Sequence, residues 1–156
     1  MVVYVLDING NPLMPTSRNR KVRKMLEKGL CHIVKTTPFT VQLDYDTTNV
    51  KQGITLGIDC GTKHIGVSAT TNKKELFSAE VILRTDIVEL ISTRRETRRT
   101  RRARLRHRKA RFDNRISRKH KGWLAPSVEN KINSHLSIIR KLYSILPITR
   151  VNLEVG

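Results

Sequence analysis

The sequence predicts a mixed fold of helices and strands, an α/β fold of the α+β kind, and three observations indicate it. Short apolar and β-branched runs alternate with Gly, Pro and Asn turns, which is typical of strands. Near the C-terminus, apolar residues recur at three- and four-residue steps, which is typical of a helix with one buried face. Between these regions lies an arginine-rich segment without Gly or Pro, which favours a long helix.

The first 46 residues predict a small N-terminal β/α domain, 1–46. Its strands are predicted at 2–6, 30–35 and 39–43. A short basic helix is predicted over 18–28, with Ser17 as its cap and Gly29 as its end. The basic side chains of this helix either contact phosphates or face solvent, and the sequence leaves both interpretations open. A polar linker, 47–52, follows this domain.

Residues 53–93 predict a second unit of three strands. These strands are predicted at 54–59, 65–69 and 76–83, and a tight turn at 61–64 joins the first two. From Asp86 onward the pattern becomes helical and continues into the arginine-rich segment, 94–121.

Residues 122–156 predict a helix and a final strand. Gly122 and Pro126 interrupt the preceding helix, Ser127 is expected to cap the next one, and Pro147 is expected to end it. Residues 150–155 predict the strand. The apolar positions of the helix are expected to form one buried face: Val128, Ile132, Leu136, Ile139, Tyr143 and Leu146.

The charge of the chain indicates a polyanionic partner. Lys and Arg number 31 against 13 Asp and Glu, which gives a net charge of +18. A helix that carries arginine on every face cannot pack into an apolar core, and guanidinium groups make forked contacts to phosphates. Nucleic acid is therefore the first expected partner, through these residues: Arg94, Arg95, Arg98, Arg99, Arg101, Arg102, Arg104, Arg106, Arg108, Lys109, Arg111 and Arg115.

Two carboxylates are the candidate catalytic and metal-binding residues. Asp59 ends an apolar strand just before Gly61, and Glu154 lies in a β-prone segment among apolar neighbours. Two carboxylates on adjacent strands can hold Mg²⁺, which prefers oxygen ligands. In the alternative interpretation, Asp59 only starts a turn and Glu154 only faces solvent; both interpretations stay open at this point.

The cysteines and the hydropathy pattern indicate a cytoplasmic protein. Cys31 and Cys60 are far apart, lack zinc-site spacing and are expected to be buried free thiols, which fits a reducing compartment. No stretch approaches the ~20 apolar residues of a membrane span, so no membrane partner is expected. His64 and His135 have no evident catalytic partner, and a core position is favoured for His135.

Several motifs, taken in order, closely resemble the N-terminal part of IscB proteins, which are transposon-encoded, RNA-guided nucleases related to the type II CRISPR effector nucleases. The Pro-Leu-Met-Pro string at 12–15 is similar to the motif that names their N-terminal domain. Residues 57–67 resemble the first motif of the split RuvC nuclease domain, and the arginine-rich segment resembles the bridge helix. Leu153-Glu154 is similar to the second RuvC motif.

The resemblance implies an RNase H-like fold, here a partial one, and a Mg²⁺-dependent DNA endonuclease. Guide RNA and the RNA–DNA heteroduplex are the implied partners of a monomer, and Asp59 and Glu154 are the implied metal ligands. In the family, an HNH nuclease domain and a third RuvC motif follow the second motif, whereas this chain stops two residues after Glu154. We therefore expect the front portion of such a nuclease, with no cleavage by these 156 residues alone.

Two other classes of protein remain as alternatives. A non-catalytic RNA-binding protein of the ribosomal kind explains the charge but not the pairing of Asp59 with Glu154. An actin-like sugar kinase or ATPase also has a Gly-Ile-Asp-x-Gly-Thr loop, as at 57–62. A kinase of this class has no use for the arginine-rich segment, so that segment argues against it.

Overall fold

The computed structural model describes residues 2–48, 50–105 and 121–154. Within these ranges the chain forms seven strands and three helices. The strands are β1 (Tyr4–Leu6), β2 (Cys31–Lys35), β3 (Thr40–Leu43), β4 (Ile54–Asp59), β5 (His64–Thr70), β6 (Glu75–Ile82) and β7 (Ile148–Glu154). The helices are α1 (Asn19–Glu27), α2 (Ile87–Leu105) and α3 (Pro126–Tyr143). The predicted mixed α and β class is confirmed.

The first three strands form a small sheet in the order β1-β3-β2. β1 and β3 run parallel, and β2 and β3 run antiparallel. α1 packs on this sheet through the buried Val22, with Met25 and Leu26 partly buried beside it. These three positions are spaced by three and four residues, so they share one face of the helix.

The end of α1 follows the sequence prediction, but its beginning does not. Gly29 has a φ of 64°, and the N–H groups of Gly29 and Leu30 donate to the carbonyls of Leu26 and Met25. This is a Schellman motif, which glycine favours because it has no Cβ to clash in the left-handed region. The predicted cap by Ser17 is wrong, because Arg18 occupies the capping position without a side-chain hydrogen bond.

The other four strands form the larger sheet, in the order β6-β5-β4-β7. β4 is antiparallel to β5 and parallel to β7, and β5 is antiparallel to β6. The core of the molecule lies on one face of this sheet. Its fully buried members come from β4, β5 and the turn after α3: Ile54, Leu56, Ile65, Ala69 and Leu146.

α3 covers this core only through its C-terminal half. Leu142 is buried, and Ile138 and Ile139 are partly buried against the sheet. The predicted continuous buried face is therefore wrong for part of its length, since the following remain exposed: Val128, Ile132, Leu136 and Tyr143. The predicted cap by Ser127 is also wrong, because Pro126 already occupies the first turn, where its restricted φ suits the start of a helix.

A bulge in β7 sets the register of the sheet. Ile148 pairs with Ile54 and Arg150 pairs with Thr55, so Thr149 is the extra residue between them. The Thr149 hydroxyl accepts a hydrogen bond from the Ile54 N–H at 3.1 Å and donates one to the Ile54 carbonyl at 3.0 Å. Ile148 and Val151 both pack against the core, and their odd spacing requires an inserted residue.

Two side-chain hydrogen bonds connect the parts of the molecule. The Tyr4 hydroxyl donates to the Leu76 carbonyl at 3.2 Å, and the Lys35 ammonium donates to the Ser144 hydroxyl at 3.2 Å.

Both cysteines are free thiols; Cys31 is buried as expected, whereas Cys60 is only half-buried. Among the described residues, no helix is long and apolar enough to cross a membrane.

Candidate functional site

The larger sheet has one apolar face and one polar face. On the apolar face, residues such as Leu56, Ile65 and Val67 pack into the core. Residues that pair in register share a face, so the ladders define three polar rows across the other face. These rows are Glu80, Gly66, Asp59 and Glu154; Ser78, Ser68, Gly57 and Asn152; and Glu75, Thr70, Thr55 and Arg150.

Asp59 and Glu154 are direct neighbours in the first of these rows. They are Cα partners on the parallel strands β4 and β7, and both are exposed. The ladder continues beyond them, because the Cys60 N–H donates to the Glu154 carbonyl at 3.2 Å. Adjacent strands lie ~4.8 Å apart, so the two side chains rise side by side from one end of the sheet. We call these two residues the acidic pair.

Two glycines shape the surroundings of the acidic pair. Gly66 is the partner of Asp59 on β5, and a Cβ there would lie 3.5 Å from the Asp59 Cβ and 3.9 Å from its Oδ2. The absence of a side chain at Gly66 thus leaves room beside this carboxylate. Gly61 is required by the turn after Asp59, because a Cβ there would clash with the backbone carbonyl of His64.

The neighbouring acidic side chains of the polar face already have partners. Glu80 lies two strands from Asp59 in the same row, and its Oε1 is 2.9 Å from Nδ1 of His64. Glu75 accepts a hydrogen bond from the Ser68 hydroxyl at 2.6 Å. By contrast, neither member of the acidic pair forms an ion pair with any other described residue.

The chemistry of the acidic pair suits a hard cation. Mg²⁺ takes oxygen ligands at ~2.0–2.1 Å and is usually held by one or two carboxylates together with waters or substrate phosphates. Two exposed carboxylates in register on one face meet that description. Within the described ranges, no three His, Cys, Asp or Glu side chains come close enough together to hold a metal ion.

α2 presents the arginines to solvent. Residues 94–105 contain seven Arg and a single Glu, and all side chains from 94 to 104 are exposed. At ~100° per residue the arginines cover more than half of the helix circumference. The Arg side chains described are Arg94, Arg95, Arg98, Arg99, Arg101, Arg102 and Arg104. The other predicted contacts lie outside the described residues: Arg106, Arg108, Lys109, Arg111 and Arg115.

Threonine hydroxyls on α2 are occupied by the helix itself. Thr93, Thr97 and Thr100 each donate to the carbonyl four residues earlier, at 2.9–3.0 Å. These hydroxyls lie along one stripe of the helix and satisfy its own backbone. Apart from Ser92, the side-chain donors that the described part of α2 offers to a partner are therefore its guanidinium groups.

Three features near the site were not predicted from the sequence. The sequence did not indicate Gly66 as the residue that leaves room for Asp59, although the predicted hairpin of β4 and β5 brings the two residues close together. The ion pair of His64 with Glu80 joins residues of two different strands. The Thr149 bulge has no sequence signal beyond the odd spacing of Ile148 and Val151.

A comparison with known protein families gives one match. The family model described as RRXRR protein matches residues 3–156, essentially the whole chain. The chain belongs to this family, which is associated with RNA-guided nucleases of the IscB kind. Among curated proteins, none matches the chain.

Proposed function

We propose that this RRXRR family member forms the N-terminal part of an IscB-type RNA-guided DNA endonuclease. In this proposal α2 binds guide RNA and the RNA–DNA heteroduplex, and the acidic pair supplies two ligands of a RuvC-like Mg²⁺ site. The observation that carries the proposal is the register of Asp59 with Glu154 on adjacent parallel strands. The sheet order β6-β5-β4-β7 supports the RNase H-like fold that the resemblance implies.

The role of α2 follows from its charge and exposure. In RNA-guided recognition, base pairing reads the DNA sequence, and the protein holds the heteroduplex through its backbone and shape. Arginines over more than half of a helix circumference suit a partner that wraps around much of the helix, such as folded RNA. Arg is also preferred over Lys where forked contacts to phosphate are made.

The acidic pair would hold the metal on the open face of the sheet. Bound Mg²⁺ would supply an activated water and stabilise the charge that develops on the phosphodiester oxygens. The residues of the chain would place the metal and the substrate. The pairing of β4 with β7 holds the two carboxylates in register, and Gly66 leaves space for a phosphate beside Asp59.

A metal titration tests the acidic pair. Mn²⁺ serves as a paramagnetic substitute for Mg²⁺, and its binding is followed by water-proton relaxation, with competition by Mg²⁺. Asp59→Asn and Glu154→Gln should each abolish binding at this site, whereas the matched control Glu129→Gln, an exposed acid on α3, should not. Equal Mn²⁺ affinity in all four proteins would remove the acidic pair as a metal site.

RNA bound by the purified chain tests the guide function. The chain should retain a distinct structured RNA, and Arg98→Gln, Arg101→Gln and Arg102→Gln combined should release it. The control replaces three exposed lysines outside the helices, Lys51, Lys73 and Lys74, with Gln.

The RNA-loaded chain is then mixed with single-stranded DNA complementary to successive segments of that RNA. Tight binding confined to one segment supports a guide. Retention of bulk cellular RNA without a preferred complementary segment would favour the non-catalytic RNA-binding alternative.

A further inference from the structure

We propose that α1 is a second nucleic-acid-binding surface, which holds the phosphate backbone of a double helix separately from α2. The α1 basic face is defined by Arg20, Lys24 and Lys28, which follow each other at four-residue steps, with the basic residues Lys21 and Arg23 at its margins. This inference goes beyond the proposed function, which uses only α2 and the acidic pair.

The packing of α1 on the small sheet fixes the position of this face. Val22, Met25 and Leu26 hold the opposite side of the helix on the small sheet, beside Val3 and Val41. The six basic side chains from 18 to 28 are all exposed. At ~1.5 Å per residue, Arg20, Lys24 and Lys28 lie about 6 Å apart along a line of about 12 Å.

The basic residues at the N-terminal end of α1 oppose the stability of the helix. The first turn carries no acidic residue, although Arg18, Arg20 and Lys21 lie at the positive end of the helix dipole. Like charges four residues apart, as in Arg20 with Lys24 and Lys24 with Lys28, also repel. The apolar side of α1 already anchors the helix, and only Lys24 and Lys28, at its C-terminal end, are favourably placed for the helix dipole. A polyanion on the outer face offsets both penalties.

The α1 cations are not neutralised by the rest of the described protein. The ion pairs among the described residues involve His32, His64 and Arg84, and none involves α1. Within 18–28, Glu27 is the single acid against six basic residues. The face is therefore left with a strong net positive charge toward solvent.

The residue types on α1 identify the chemistry of the partner. Residues 18–28 contain no aromatic side chain, so the face lacks the aromatic platform on which single-strand binders stack successive bases. Evenly spaced Lys and Arg side chains instead contact successive phosphates without reading sequence. A double helix presents phosphates at ~1.7 Å per charge along its axis, so a 12 Å row lies within reach of several.

Chemical protection maps the contact directly on the full chain. Lysines are acetylated in the presence and absence of a saturating short RNA duplex, a DNA duplex of the same sequence, single-stranded RNA or polyglutamate, and modification is measured by mass spectrometry. Lys24 and Lys28 should be protected several-fold by either duplex, while Lys51, Lys73 and Lys74 stay reactive. Protection by RNA alone or DNA alone identifies the natural source of the backbone. Equal protection by polyglutamate or by single-stranded RNA would overturn the proposal.

A charge-matched pair of variants provides the second measurement. One variant combines Arg20→Gln, Lys24→Gln and Lys28→Gln; the control combines Lys51→Gln, Lys73→Gln and Lys74→Gln, so both lose three positive charges. The slope of log affinity against log salt for the duplex should fall by about 2 to 3 in the α1 variant only, at ~0.7–0.9 per phosphate contact. An equal fall in both variants would show a general charge effect and refute a specific surface. Circular dichroism melts verify that both variants are folded.

A variant of α2 distinguishes a failure of the α1 proposal from a failure of the proposed function. In a chain with Arg98, Arg101 and Arg102 replaced by Gln, duplexes should still protect Lys24 and Lys28. Loss of that protection would mean that α1 has no binding surface of its own. Persistence of protection together with unchanged RNA retention would support α1 and count against α2.

Discussion

Thr149 is expected to set the strand register that places Glu154 beside Asp59, and removal of the Thr149 hydroxyl tests this expectation. The Thr149 side chain bonds both the N–H and the carbonyl of Ile54, a residue with 0% exposure. Thr149→Val keeps the shape but leaves the Ile54 N–H without this partner. An unsatisfied buried donor costs about 1–3 kcal/mol. In a chain of this size, each kcal/mol lowers Tm by about 2–4 °C.

The bulge also has a consequence for the acidic pair. Beyond it, Arg150 pairs with Thr55 and Glu154 pairs with Asp59. Without the inserted residue, β7 would keep the register of Ile148 with Ile54, and Leu153 would stand beside Asp59. A one-residue slip moves every side chain of a strand to the other face. Loss of the bulge therefore separates the two carboxylates.

Urea unfolding and the Mn²⁺ titration together form the assay. Thr149→Val should lose stability and Mn²⁺ affinity, whereas Thr149→Ser, which keeps the hydroxyl, should retain most of both. Thr55→Val, a half-buried threonine of β4 on the polar face, should change stability by no more than about 0.5 kcal/mol. If Thr149→Val matches Thr149→Ser in stability, the hydroxyl bonds are not important. If it loses stability but keeps full Mn²⁺ affinity, the bulge does not set the site.

Four further predictions concern the core, the site and pH. Leu56→Ala in the fully buried centre of β4 should lose about 3–5 kcal/mol in urea unfolding; a loss under 1 kcal/mol would contradict the described packing. Gly66→Ala should gain about 0.5–1 kcal/mol of unfolding free energy yet bind Mn²⁺ about tenfold more weakly. The control Gly57→Ala, whose Cβ would lie 3.8 Å from the Ser68 carbonyl oxygen, should gain stability without losing Mn²⁺ affinity. Hydrogen bonds from Asn11 and Asn9 lower the pKa of Asp7. The ionised Asp7 therefore stabilises the fold above its unfolded pKa of ~3.9, and this stabilisation is lost as pH falls through the folded pKa. The Asp7→Asn variant should be less stable than the parent chain at neutral pH, and its free energy of unfolding should fall less between about pH 6 and pH 3. Mn²⁺ should bind more tightly when a saturating RNA duplex is present, and equal affinity with and without the duplex would disprove this coupling.

The strands β4 and β5 were predictable because each has a local pattern. Alternating buried and exposed residues in β4 and β5 appear directly in the sequence, and their bounds agree with the structure to within one residue. Gly29 ended α1 as predicted, because a left-handed residue at a helix end strongly favours glycine. These features depend on neighbours in the chain.

The errors arose where distant parts of the molecule decide the structure. The apolar stripe of α3 runs the length of the helix, but α3 extends for ~27 Å at ~1.5 Å per residue. β4 extends only ~20 Å at ~3.3 Å per residue, so the helix is longer than the strand on which it packs. The N-terminal half of the stripe is therefore exposed, and periodicity alone cannot show where packing stops.

The acidic pair was predictable in its members and in its placement on adjacent strands of one sheet, but its exact register was not. The sequence indicated Asp59 because it ends an apolar strand, and Glu154 because it lies in a β-prone segment among apolar neighbours. Their register depends on the Thr149 bulge and on the parallel pairing of strands nearly a hundred residues apart. Local sequence contains neither fact, so the exact register of the two residues required the structure.

The acidic pair and the arginine helix are expected to act as one binding unit, for an electrostatic reason. A net charge of +18 opposes the approach of a cation, and the negative field of two carboxylates is screened over ~8 Å at physiological salt. A nucleic acid bound through arginines reverses the sign of the surrounding charge and brings phosphate oxygens, which Mg²⁺ accepts beside carboxylates. Because coupling between two ligands is reciprocal, Mg²⁺ must then strengthen nucleic-acid binding by the same factor. We therefore expect each ligand to bind more tightly in the presence of the other.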